Sequence, residues 1–288
     1  MDTQLLAAFI AVAESQSFTR AADSLHLSQP AVSKRVTALE AQIGRSLFDR
    51  VGRGISLTDA GRTLLPFARK ALQDIEDGRR ALSQLEGNVS GRLSIGTSHH
   101  IGLHRLPPVL SAFTQQYPAV DLDIHFMDSE IACDAVLAGK LELGIVTLPT
   151  QPLAHLQSRR VWPDPLTVVC APNHPLADRQ TLTLKGLAEH PAVLPDAATY
   201  THRIITEAFK AQGVAPRVRL ATNYLETLKM LVSIGLGWSV LPDSMMDDSL
   251  VRLRIPGLAM HRQLGMVWHE RRTLSGAAQA LMQQMPQA

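Results

Sequence analysis

The sequence predicts two unlike parts: an all-α winged helix-turn-helix with a long linker helix behind it, then an α/β half in which strands and helices alternate. Three observations carry this reading. Residues 3 to 57 hold three short amphipathic helical patterns and a glycine-bearing hairpin pattern. Residues 58 to 87 read as one helix. Past the break at NVSGR, strand-like runs such as RLSIGTS, VDLDIHF and LELGIVTL are separated by helical spacing at 102 to 116 and 129 to 139, and a second set follows from PLTVVCAP, which is α/β grammar.

The 288 residues, 45% hydrophobic and 19% charged, suit about two domains with sizeable cores. No apolar run nears the roughly 18 residues of a membrane span. The start Met1-Asp2 lacks the basic and apolar stretches of an export signal, so the expected location is the cytoplasm, with no membrane partner. Cys133 and Cys170 are too far apart for a zinc motif and have apolar neighbours, which points to buried, reduced thiols. The net charge of +2 says little, but Lys34, Arg35, Arg45, Arg50, Arg53 and Arg62 outnumber Glu40, Asp49 and Asp59 between Ser28 and Arg62. A polyanion is drawn to that segment.

Leu5, Leu6, Phe9, Val12 and Ala13 recur at helical spacing, predicting a helix over residues 3 to 14. A second, capped by Ser17 or Thr19, turns Phe18, Ala21, Ala22 and Leu25 inward and ends near Leu27. In SQPAVSKRVTALEAQIG, Ser28 is a good N-cap and Pro30 falls in the first turn, where a missing N–H costs little. Val32, Val36, Leu39 and Ile43 then make one apolar stripe, leaving Gln29, Ser33, Lys34 and Thr37 off it. Such a pair of helices is a helix-turn-helix, whose second helix presents its start to the DNA major groove. The residue types suit that position, since Gln pairs with adenine, Ser with base edges, and Lys and Arg with guanine or phosphate. RSLFDRVGRGISL then reads as a hairpin wing carrying Arg50 and Arg53 toward backbone phosphate or a minor groove.

The run FTRAADSLHLSQPAVSKRVTALEAQIGRSLFDR through SLTDAG resembles, without a gap, the N-terminal domain of LysR-type transcriptional regulators. The resemblance implies that Gln29, Ser33 and Lys34 read bases and nearby phosphate, that Pro30 opens the recognition helix, and that Arg50 and Arg53 lie in the wing. Arg35 is assigned to phosphate alone, and Thr37 continues the exposed face. Between Thr58 and Gly87, the positions Leu64, Ala68, Ala71, Ile75, Gly78, Leu82 and Leu85 form a heptad seam. An exposed seam of that length calls for a second copy. Pro66 opposes a continuous helix, but LLPxAR at this place looks like the usual linker helix of the family. The resemblance further implies a dimer of dimers, a homotetramer, with double-stranded DNA as partner and RNA polymerase as a further one.

The second half is similar to the family's periplasmic-binding-protein-like effector domain. The expected division is 1 to 62 for the winged helix-turn-helix, 58 to 88 for the linker helix and 89 to 288 for the effector domain. Lobe I takes 92 to 161 and 265 to 288, and lobe II 162 to 264, with crossings near 161 and 265. Ligands in such folds settle between lobes, at strand ends and helix starts. That rule nominates Thr97, Ser98, His99, His100, Thr147, Thr199, Tyr200, His202 and Asn223, beside Tyr224. Hydroxyls with His and Arg point to a small carboxylate effector.

His100 and His104 stand four apart, with His99 adjacent and His125 on a nearby strand, a spacing metal ligands use. No Glu stands between them, no Cys is near, and Pro107-Pro108 disturb the helix, so polar pocket or surface histidines are the expectation and no metal site is assigned. Nucleophile-elbow and phosphate-loop motifs are absent from the sequence. The expectation is a regulator, not an enzyme, without catalytic residues or cofactor. The competing readings are a DNA-architectural protein without effector and a metal-dependent enzyme.

Overall fold

The computed structural model describes residues 2–51, 54–85, 89–179 and 182–286. The chain divides into two compact units, Met1–Leu85 and Glu86–Ala288.

In the first unit, Asp2 caps α1 (Thr3–Ser15), accepting from the Gln4 amide at 2.9 Å. Ser17 caps α2 (Phe18–Ser24), which ends three residues before Leu27. The chain reverses there because the Leu27 amide donates back to Ala22 O at 2.9 Å and His26 takes the left-handed conformation, φ 52. Ser28 Oγ then accepts from the Ala31 amide at 3.4 Å and opens α3 (Gln29–Ile43), with Pro30 in the first turn. Gly44, φ 69, closes α3 in a conformation that strains any residue with a Cβ. Val32, Val36 and Leu39 are buried with Leu6, Phe9, Val12, Ala21 and Ala22, so the predicted stripe is the helix's inner face. Glu40 Oε1 accepts from the Leu47 amide at 2.7 Å and fixes where the wing departs. The wing is an antiparallel pair, β1 (Phe48–Val51) and β2 (Gly54–Leu57).

The helix α4 (Asp59–Leu85) runs through Pro66 unbroken. Its seam needs correction. Ala68 is 2% exposed in the chain's own core, and Leu64 and Ala71 pack against the same cluster, because α4 lies on α1 and Arg69 meets Glu14 at 2.8 Å. Only from Ile75, 44% exposed, does the seam face outward, while Phe67, off the seam, is 68% exposed. The side chains of Leu82 and Leu85 lie outside those described.

The second unit alternates strand and helix: β3 (Gly91–Thr97), α5 (His99–His104), α6 (Pro107–Gln116), β4 (Val120–Phe126), α7 (Ser129–Leu137), β5 (Leu143–Thr147) and β6 (Leu156–Cys170). Then come α8 (Leu184–Ala188), β7 (Pro191–Leu194), α9 (Tyr200–Lys210), β8 (Arg217–Ala221), α10 (Leu225–Ser233) and β9 (Ser239–Pro242). After β10 (Val251–Leu253), β11 (Met260–His269) and α11 (Gly276–Gln284) finish the chain. One helix expected over 102 to 116 is two, since Pro107 has no amide to carry the ladder past Leu106. The elements α8, β7 and β10 were not anticipated; each is five residues or fewer, too short to display a period.

Parallel β4, β3 and β5 form one lobe and are joined through β5 to antiparallel β11. In the other lobe β7 pairs in parallel with β8, and β9 and β10 pair antiparallel with the far half of β6. The long strands β6 and β11, antiparallel to each other, cross between the lobes. Their register slips between Leu264 and Gly265, which leaves Val161 as the extra residue in a bulge. A Cβ on Gly265 would stand 2.3 Å from Arg159 O, so glycine is required there. The strand β6 begins nine residues before the run PLTVVCAP because Pro163 and Pro165 disguise it. Both face only β11, at a stretch where β6 has not yet met β9 or β10 and is an edge strand. Each lobe has its own core, around Leu93, Ile95, Phe113 and Met266 in the first and Val168, Phe209, Trp238 and Val240 in the second.

Candidate functional site

The outer face of α3 is the candidate surface of the first unit. With its inner face fixed by Val32, Val36 and Leu39, the helix exposes Gln29, Pro30, Lys34 and Thr37, with Ser33 half-buried among them. These five, with Ala38 and Ala41, line one shallow open strip. Arg35 is not on it. It lies more than half a turn round from Ser33 at 3.6 residues per turn, and its guanidinium donates to Gln4 Oε1 at 2.9 Å. Arg53 and the side chain of Arg50 lie outside the described residues.

The second unit holds a cleft between its lobes. Six of the expected residues line it: Ser98, His99, His100, Thr147, Thr199 and Asn223. Asp128, Ser129, Glu130, Thr201 and Arg262 join them. Thr97 does not line the cleft; its hydroxyl is buried in the sheet and donates to Ile145 O at 2.8 Å. Tyr200 is likewise withdrawn, because its side chain packs into the first lobe's cluster with Cys133 and Val136. Its phenol is pushed up, chiefly by burial. His202 turns its Nδ1 to Pro195 O at 2.8 Å and lies behind the loop.

Several bonds cross the cleft. Asn223 Nδ2 donates to Asp128 Oδ2 at 2.7 Å, and the Tyr200 amide donates to Glu130 Oε1. That second bond places a carboxylate at the start of α9, where a helix favours negative charge. Burial raises the Glu130 pKa, the amide opposing. Arg262 Nε donates to buried Asp164 Oδ2 at 2.5 Å, and Arg105 reaches the other oxygen at 3.3 Å. Arg262 Nη2 remains buried without a hydrogen-bond partner, and so do both ring nitrogens of His100. Burial, then the Arg262 charge, lowers the His100 pKa to about 4. His99 stacks on Phe126 at 5.3 Å and meets Tyr224 at 4.9 Å, closing the cleft's edge.

With these bonds formed the cavity is about 50 Å³, little more than a water's share of about 30 Å³. A larger hollow of about 430 Å³ shares Arg262 and is lined by Leu148 to Leu153, Ile204, His261 and Gln263. Gln151, Pro152, Ser158 and Arg160 on its wall are exposed, so it is an open groove.

Arg262 was missed in the sequence because it sits mid-strand in HRQLGMV with no motif around it. Asp128 and Glu130 carried a legible signal, since they open a helix just after a strand.

A helix-turn-helix that bares the start of its second helix, together with a two-lobed α/β unit joined by crossing strands, defines a DNA-binding regulator with an effector-binding domain. The chain belongs to the LysR family of transcriptional regulators. Residues 3–62 match the bacterial regulatory helix-turn-helix protein, lysR family, and residues 86–288 match the LysR substrate binding domain. The chain is 31% identical over 280 residues to a RuBisCO operon transcriptional regulator of Allochromatium vinosum, covering 96% of this chain and 92% of that one. In fold it is similar to a full-length OxyR variant from Pseudomonas aeruginosa, with a TM-score of 0.72, 23% identity and coverage of 99% and 94%. It is also similar to full-length CbnR complexed with its target DNA, with a TM-score of 0.66, 23% identity and 99% of each chain covered. Among the described residues no helix is long and apolar enough to cross a membrane.

Proposed function

We propose that this regulator reads its operator with Gln29 and Ser33, with Lys34 on a nearby phosphate, and that the lobes of its second unit move in response to a small carboxylate. The observation carrying the first part is the roll of α3: Val32, Val36 and Leu39 are buried together, so the polar line of Gln29, Ser33 and Thr37 faces out. Pro30 holds the start of that line, and Arg50 and Arg53 of the wing meet backbone phosphate. Arg35, bonded to Gln4, acts on phosphate only by leaving that bond. Replacing Gln29 or Ser33 by Ala should lower the ratio of operator to random-DNA affinity, by about 1–3 kcal/mol for a lost bidentate pair. Ratios unchanged in both variants would reject base reading.

Arg262 supports the carboxylate. Its buried Nη2 lacks an acceptor, and an unpaired buried donor costs about 1–3 kcal/mol, more when charged. Asp128 and Glu130 also line the cleft as acceptors, so a hydroxy or amino acid fits better than a bare anion. Ligand access requires the Asn223–Asp128 and Tyr200–Glu130 bonds to part, since the cavity between them is too small. An effector shifts the lobes only by its preference for one arrangement.

The test is thermal denaturation of the full chain with small carboxylates and with their neutral amides. A carboxylate near a hundredfold over its Kd should add about 2.7 kcal/mol, and its amide should not. Ser98→Ala should blunt the shift and Gln263→Ala should leave it. The reverse pattern would move the effector to the open groove, and no shift with any carboxylate would reject the class. In the same reading, copies pair along α4 from Ile75 onward into dimers and then a homotetramer, in the cytoplasm, where RNA polymerase is engaged.

A further inference from the structure

We propose that His100, His104 and Glu226 form a binding site for a divalent transition metal, zinc in the first instance, at the rim of the cleft, with one ligand coming from the opposite lobe. His100 and His104 stand one turn apart on α5, and Glu226 opens α10. Their ligand atoms all lie within 4.8 Å of one another. Glu226 Oε1 is 3.1 Å from His104 Nε2 and 3.6 Å from His100 Nδ1. Metal–ligand bonds of about 2.0–2.1 Å at tetrahedral angles space neighbouring donors about 3.4 Å apart, so the group is nearly in place without an ion.

The second observation is independent of that spacing. His100 is 4% exposed, yet neither ring nitrogen has a hydrogen-bond partner. Buried polar atoms are nearly always satisfied; a metal on Nδ1 would satisfy one of them. The nearby Arg262 charge opposes a cation, but it is paired with buried Asp164, and Glu226 brings a compensating carboxylate. Two nitrogens and one oxygen select zinc, cobalt or nickel over calcium or magnesium. Three protein ligands leave a fourth position open to water or to an effector oxygen. The sequence showed the His pair; Glu226, 122 residues beyond His104 in the chain, is what tertiary structure adds.

The experiment titrates chelator-stripped full-length protein with Co²⁺, read by its visible d–d bands, and then displaces the cobalt with Zn²⁺. One saturable equivalent per chain is expected, with the absorption of a four-coordinate site. His104→Ala and Glu226→Gln, on partly exposed side chains, should each weaken binding by at least about tenfold while keeping the metal-free thermal midpoint. Absent saturable binding, or equal affinity in both variants, would overturn the site. The carboxylate screen, run in chelator, tests the effector separately.

Discussion

Side chains of one type take opposite roles here according to what lies behind them. Lys34 stands clear on the strip of α3, whereas Arg35, the next residue, is turned to Gln4 and half-buried. Lys34→Ala should therefore weaken binding to operator and random DNA alike and reduce the salt slope by about one. A loss confined to the operator would mark Lys34 as a base reader instead. The two cysteines show the same dependence on surroundings. Burial pushes the Cys133 thiol up to about 12 and the Cys170 thiol up to about 11, so neither is a thiolate near neutral pH. Thiol-selective reagents at pH 8 should leave both untouched in the folded protein and label both once it is unfolded. The apolar letters around the two cysteines foretold this burial, while the inward turn of Tyr200 onto Cys133 did not show in the sequence at all.

Elements were legible where a period or cap repeats long enough. Helices α1 and α3 and the start of α4 were announced by apolar spacing and by Ser28 and Pro30. The long crossing strand β6 was not, since Pro163 and Pro165 argue against a strand unless it is known to be an edge there. Strands β6 and β11 pair where the chain passes between the lobes, and a Cβ on Gly265 would stand 2.3 Å from Arg159 O at that crossing. Gly265→Ala forces a methyl group against the Arg159 carbonyl and should destabilise the second unit by about 1–3 kcal/mol. Thermal denaturation checks this, and an unchanged midpoint would show that the bulge yields freely. If the effector acts by moving the lobes, as proposed, effector response should fall in the same variant even where ligand still binds, because the strands that join the lobes meet at this point.

At the scale of the whole molecule the question is how much of α4 is free to meet a second copy. Because Leu64, Ala68 and Ala71 are used in the first unit's own core, the outward apolar positions described begin with Phe67 and Ile75. Ile75→Asp should lower the molar mass measured by light scattering toward that of one chain, and operator affinity should fall with it. Mass and affinity both unchanged would show that pairing rests on other residues.

Taken by itself, the sequence determined the helix-turn-helix, the wing, the order of strands and helices behind them and the family, because each rests on neighbours within a few tens of residues. It also placed most of the loops that meet at the cleft, from Ser98 to Thr199, since strand ends and helix starts are local features. Tertiary structure alone decided which side chains share a space. Only the fold sets Arg262 beside Asp164, Glu226 beside His104 and Ala68 inside a core rather than on a seam. The physical reason is that periodicity records which face of an element is apolar, while the partner of that face, or of a buried charge, is fixed by chain crossings that no local pattern encodes.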